Sequence, residues 1–152
     1  MNQKKAFTLI EILIVLAILA ILASLMTGNL LNSLKKGRDA RRKADLAQIQ
    51  KTLEMYYEDK KAYPLTAILV FGSSLADSIS GKIYMQELPN DPKTTCSYAY
   101  ISNGTSYQLY AHLENTLDTG QGVDQAGYTS ADCDGTATCL CRFGLASSNT
   151  TP

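Results

Sequence analysis

"KKAFTLIEILIVLAILAILA", residues 4–23, decides how the rest of the chain is read. One residue breaks its pattern. Glu11 stands inside an apolar run, and from residue 12 to residue 26 only Ser24 is polar. As an α-helix, residues 7–26 would rise about 30 Å, enough for the hydrocarbon core of a bilayer. An acidic group deep in such a span costs roughly 2.5–3.5 kcal/mol. Such a group normally has a partner, yet the run holds no cation; Lys4 and Lys5 lie just upstream.

A secretory signal peptide would account for the basic start and for the small residues Ala23 and Ser24. The apolar run is long for one, and Glu11 interrupts it. A lipoprotein signal is excluded because the first cysteine is Cys96. A plain signal anchor explains the length but not Glu11. The six residues AFTLIE, 6–11, resemble the processing site of the type IV pilin and pseudopilin superfamily. The resemblance implies that a prepilin peptidase cuts between Ala6 and Phe7 and methylates the new amine of Phe7. Ala6 stands where the family usually has Gly. It also implies a partner for Glu11, the Phe7 amine of a neighbouring subunit. Docking that neighbour would neutralise a charge that is costly in apolar surroundings. Glu11 would then fix the register of helices stacking into a filament, like a buried polar residue in a coiled coil.

The charge balance fits no bulk nucleic-acid binder. Lys plus Arg number 14 against 14 Asp plus Glu, and loss of Lys4 and Lys5 with the leader tips the mature chain slightly acidic. Charge is uneven, however. Lys35, Lys36, Arg38, Arg41, Arg42 and Lys43 form a basic block interrupted by Asp39. By loop-charge bias alone this block would stay in the cytoplasm, whereas the pilin resemblance exports everything after the span; the motif is the more specific signal. The block reads as a solvated helix face, or as a contact with anionic lipid headgroups or acidic patches of other subunits. DNA contact is the weaker reading.

Leu46, Ile49, Leu53 and Tyr56 or Tyr57 recur at helical spacing. Gln48, Lys51, Glu54 and Glu58 face elsewhere, and Pro64 ends the helix by about Tyr63. One helix is therefore expected from Thr8 to about Lys60, softened at Gly28 and Gly37. The segment RKADLAQIQKTLEMYYEDKKAYP (42–64) and the loop LPNDP (88–92) resemble major pseudopilins of type II secretion. The resemblance covers residues 4–64 and 85–113.

Residues 65–87 read as a connector with a short helix around residues 74–80. Residues 96–114 alternate about Asn103-Gly104, the signature of a hairpin with a two-residue turn. That turn would pair Ser102 with Thr105, Tyr100 with Tyr107, Tyr98 with Leu109 and Cys96 with Ala111. The apolar face so formed would seat the helix stripe. Ile101, Tyr110 and the only histidine, His112, fall on the other face, and His112 reads as an ordinary edge residue. The Gly-, Asp- and Thr-rich tail reads as a loop region. It holds Cys133, Cys139 and Cys141, which with Cys96 make four cysteines in an exported domain, where disulfides are the default. Three connectivities are possible; Cys139 and Cys141 are too close to bridge easily, leaving Cys96 with one of those two as the preferred pair. A four-thiolate zinc site is the alternative, without the usual paired CxxC knuckles. Major pseudopilins hold calcium in a loop after the hairpin, and Asp118 and Asp124 fall in about the right place. Turn-forming aspartates are the competing reading.

The expectation is an α+β, pilin-like fold: one long N-terminal helix, its first half transmembrane, packed on a small antiparallel sheet. The divisions are a leader (1–6), a transmembrane and polymerisation half-helix (7–31), an amphipathic half-helix (32–62), a globular domain with the hairpin (63–114) and a cysteine-containing tail (115–152). No Ser/His/Asp set, paired-His site or phosphate loop points to an enzyme. The resemblance implies a structural subunit of a type IV pilus-like filament or type II secretion pseudopilus. Implied partners are copies of itself in a helical homopolymer, other pilins and pseudopilins, the prepilin peptidase, the inner-membrane assembly platform with its ATPase, and membrane lipid. It implies an inner-membrane protein with a single span and an exported domain, which then enters a periplasmic or surface filament. The alternative is a minor pilin serving adhesion or DNA uptake.

Overall fold

The computed structural model describes residues 7–134 and 138–152, and for residues 25–29 the backbone alone. Lys4, Lys5 and Ala6 lie outside the described residues. The chain divides into two compact units, Met1–Lys35 and Lys36–Pro152.

One helix, α1 (Leu9–Lys60), runs unbroken through Gly28 and Gly37. Thr8 and Glu11 open it as a reciprocal cap. Glu11 Oε2 accepts the Thr8 backbone N–H at 2.8 Å and the Thr8 hydroxyl at 2.7 Å. The Thr8 oxygen in turn accepts the Glu11 N–H at 3.4 Å. This Thr-x-x-Glu box satisfies N–H groups that a helix start otherwise leaves unpaired. At the other end Lys61 turns left-handed (φ 54°) and donates its N–H to the Tyr57 carbonyl, before Pro64.

In the second unit a two-stranded antiparallel sheet joins β1 (Leu75–Ala76) to β2 (Ile83–Met85). A three-stranded antiparallel sheet has the order β3 (Ala99–Ser102), β4 (Tyr107–His112), β5 (Cys141–Ala146). The fold is thus α+β. Leu46, Ile49 and Leu53 of α1 are fully buried in one cluster with Leu88, Tyr98, Tyr100, Tyr107, Leu109, Leu113 and Phe143. Each such leucine contributes about 1.5–3 kcal/mol on leaving water.

Four expectations are corrected. The helix expected around residues 74–80 is a hairpin. Asp77 captures the N–H groups of Ile79 and Ser80, and Gly81 takes φ +71°, so the segment turns back instead of coiling. The β3–β4 loop is longer than two residues, because Ser102 faces Tyr107 and Tyr100 faces Leu109. Asn103 Oδ1 accepts the N–H groups of Thr105 and Ser106, widening the turn. The register moves by two residues, an even slip that keeps Tyr98, Tyr100, Tyr107, Leu109 and Ala111 in the cluster of the helix stripe, whereas Cys96, expected beside them, lies in the second cluster with the tail cysteines. The opposite face is not solvated at Tyr110, which is fully buried beside all four cysteines. The tail covers it, and the tail is structured, supplying β5 on the free edge of β4.

Beyond β5, residues 122–128 close the outer edge. Gly122 accepts from Gly144 N–H, and a Cβ on Gly122 would lie 2.5 Å from the Gly144 carbonyl oxygen. Only glycine allows that approach at φ +76°.

Candidate functional site

Two regions of the chain stand out, and only the first carries a feature that a self-contained globular domain would not need. The first is the start of α1. Phe7 and Leu9 are each 82 % exposed, and Ile10, Leu13, Leu16, Leu19, Leu30, Leu31 and Leu34 are exposed on every side of the helix. An apolar surface so continuous needs lipid or other chains to cover it. Among the described residues no helix is long and apolar enough to cross a membrane. The expected span, 7–26, runs into residues 25–29, whose side chains lie outside the description. Glu11 is the one acid on this surface, and its only described partner is Thr8.

The second region is the basic block, where the expected solvated face is mostly consumed inside the domain. Arg42 has a fully buried side chain. Its Nε and Nη2 donate to the two oxygens of Asp91 at 2.7 and 2.8 Å. Its Nη1 donates to Asp39 at 2.8 Å and to Glu114 at 2.9 Å. Arg38 forks onto both oxygens of Glu114 at 2.7 Å. Asp39 accepts the backbone N–H groups of Glu114 and Asn115 at 3.0 and 2.8 Å. Lys43 Nζ lies 2.6 Å from Asp118 Oδ2, and Arg41 lies 3.7 Å from Asp45. Lys35 and Lys36 are the two cations of the block without a carboxylate partner among the described residues.

Residues 38, 39, 42 and 43 recur at one-turn spacing, so successive turns of α1 clamp two loops. The loop 88–92 is held through Asp91 with Leu88 buried beneath it, and the chain after β4 is held through Glu114 and Asp118. This explains LPNDP physically: Leu88 enters the core and Asp91 receives the arginine fork. Glu54 is exposed, as expected of an outer face, and its carboxylate accepts from Tyr63 OH at 3.0 Å and Tyr107 OH at 2.9 Å.

The Arg38 fork holds the Glu114 carboxyl well below its ordinary 4.5, at about 2; burial opposes this and Arg42 adds to it. The folded value lies below the unfolded one. The stabilisation is therefore complete above about pH 4.5 and lost as pH falls toward 2. Urea unfolding across that window should show stability falling with pH, and Glu114→Gln should flatten the fall. Equal slopes in the two proteins would remove Glu114 as its source.

The cysteines form two bridges, Cys96–Cys139 and Cys133–Cys141, and none is free. With Tyr110, Tyr128 and Ala131 they build a second small core on the outer face of the sheet. His112 lies at the end of β4, its Nδ1 2.9 Å from the Leu140 carbonyl oxygen.

The donors near Asp118 and Asp124 do not fit calcium, which takes about six to eight oxygens. Asp118 spends Oδ2 on Lys43 and Oδ1 on the Gly120 N–H at 3.0 Å. Asp124 Oδ1 accepts the Ala126 N–H at 2.9 Å. The carbonyls of Asn115 and Asp118 accept from Gln125 Nε2 at 3.3 and 2.6 Å. Among the described residues no group of three or more His, Cys, Asp or Glu side chains could hold a metal.

Comparison with known proteins gives two family matches. Residues 1–27 match the prokaryotic N-terminal methylation motif, and residues 29–126 match type II secretion system protein G. The second match ends before Cys133, Cys139, Cys141 and β5. The chain is 34 % identical over 116 residues to the type II secretion system core protein G of Klebsiella pneumoniae, covering 72 % of this chain and 82 % of that protein. It is 36 % identical over 114 residues to that of Dickeya chrysanthemi, with 71 % and 69 % covered. For that of Vibrio cholerae the identity is 32 % over 110 residues, with 68 % and 75 % covered. No solved structure matches the chain.

Proposed function

Because the chain belongs to the type II secretion system protein G family, we propose that it is a structural subunit of a secretion pseudopilus. The observation that carries this reading is the start of α1, residues 9–23, an apolar surface exposed on every side and interrupted by one carboxylate, Glu11. Such a surface suits a subunit held first by lipid and then by the helices of other copies. The partners that follow are copies of itself, other pseudopilins, a prepilin peptidase, and the inner-membrane platform with its ATPase. The place that follows is the inner membrane and then a periplasmic filament, with Lys35 and Lys36 left over for anionic headgroups. The role is non-enzymatic. The relatives do not favour the adhesive or DNA-uptake alternative.

In this reading Ala6-Phe7 is the cleavage site. Mass spectrometry of the mature protein should find Phe7 at the amino terminus carrying one added methyl group. A terminus after Ala23 or Ser24 would mark an ordinary signal peptide and end the filament reading.

A further inference from the structure

The poor fit of calcium to the loop after β4 has a positive counterpart, because a cation is already there. Lys43 is carried on α1, one turn after Asp39, the residue that holds the start of the same loop. Its ammonium sits 2.6 Å from Asp118 Oδ2 and 5.4 Å from the centre of the Phe143 ring, an aromatic face that favours a cation. Asp118 is bound down from the other side by the Gly120 N–H, and a Cβ added at Gly120 would come within 3.4 Å of the ammonium. Gln125 then ties both ends of the loop, donating to the carbonyls of Asn115 and Asp118. Both carboxylate oxygens of Asp118, Asp124 Oδ1 and the carbonyls of Asn115 and Asp118, which a divalent ion would have to recruit, therefore already accept from N–H donors of the chain itself, while Gln125 Oε1 is left buried without a partner. A calcium ion entering here would meet the ammonium as a like charge and would have to break these hydrogen bonds.

We propose that the Lys43 ammonium takes the place of a bound divalent cation in this chain, so that loop 115–125 and the domain it closes are ordered without calcium. The role belongs to the second unit alone and holds whether or not the chain polymerises. It means that secretion through a filament of this subunit would not be gated by calcium outside the cytoplasm.

The test uses the full-length chain in detergent micelles, with thermal unfolding and limited proteolysis read in excess EDTA and in millimolar calcium chloride. The wild type should show one unfolding midpoint and one nicking rate at loop 115–125 in both. Lys43→Met keeps the aliphatic stem over Phe143 and deletes the charge. It should be nicked in this loop about ten-fold faster, as expected when a charge-assisted bond is lost from a locally opening segment. Asp118→Asn should behave alike, and the double variant should be no worse than either single one, since one pair is removed. Should Lys43→Met not fold, Asp118→Asn reads the same pair from the loop side. A wild-type midpoint several degrees higher in calcium overturns the proposal. So does loop nicking at the wild-type rate in both single variants.

Discussion

Replacing Glu11 by valine is expected to leave membrane insertion and leader cleavage intact and to abolish long filaments. Removing a carboxylate from an apolar segment makes insertion equal or better. The globular core is untouched, because Glu11 belongs to the Met1–Lys35 unit and its described hydrogen bonds go only to Thr8. What is lost in the proposed filament is the charge match with the Phe7 amine of the next subunit. Deleting one partner of an ion pair in low dielectric costs about 3–5 kcal/mol, and the loss repeats at every subunit added. The helix cap supplies a second role for Glu11 that the experiment must separate. Thr8→Ala removes the hydroxyl from the cap and keeps the carboxylate, so it should cost about 1 kcal/mol of helix stability and leave filaments in place. Electron microscopy of sheared filaments, with immunoblots for insertion and cleavage, distinguishes the two. Filaments of wild-type number and length in Glu11→Val would show that this carboxylate only caps the helix.

The largest effect on folding is expected at Arg42. Its guanidinium is the common partner of Asp39, Asp91 and Glu114, whose side chains are 4 %, 0 % and 9 % exposed. Arg42→Met leaves Asp91 buried without its fork and Asp39 beside Glu114 with only Arg38 between them. Orphaning a buried charge in this way costs about 3–5 kcal/mol. Arg42→Lys should also be costly, since a single ammonium cannot make the two parallel bonds to Asp91. Adding Asp91→Asn to Arg42→Met should recover part of the loss, because it removes the orphaned charge. Urea midpoints measure all three. By contrast Arg41→Ala should shift stability by less than about 1 kcal/mol, as its pair with Asp45 is long and its side chain 63 % exposed. A midpoint for Arg42→Met equal to that of Arg41→Ala would show that the buried network adds nothing to stability.

The long helix was legible because local and global signals agree there: apolar spacing at Leu46, Ile49 and Leu53, and a stop at Pro64. The strand faces around Asn103-Gly104 were legible through their alternation. The loop length was not, because Asn103 can either enter a tight turn or cap the next two N–H groups, and contacts at the tip decide between them. Tyr63 N–H donates to the Gly104 carbonyl, and Leu65 packs 3.6 Å from where a Gly104 Cβ would stand. The Thr8–Glu11 cap was visible as Thr-x-x-Glu but was overshadowed by the cost of the carboxylate. The alternation of Cys141, Phe143 and Leu145 was also visible, yet six residues among Gly, Asp and Thr carry a weak strand signal. The basic block hid the most. Charges that look solvated along one helix become buried only when the acids that meet them arrive from positions 91, 114 and 118, and no local pattern encodes that meeting.

The position of β5 sets the order in which this domain can mature. The last strand of the sequence adds to β4 and meets the helix through Gln50, whose amide donates to the Ala146 carbonyl across 96 positions of chain. Contacts of such long range must wait for loop closure, which slows folding relative to a chain held by local contacts alone. Until the final dozen residues are in place, the free edge of β4 and the outer side of Tyr110 stay uncovered. A chain that has not yet added β5 is therefore the most aggregation-prone species of this protein, because an unpaired strand edge is a template for another chain.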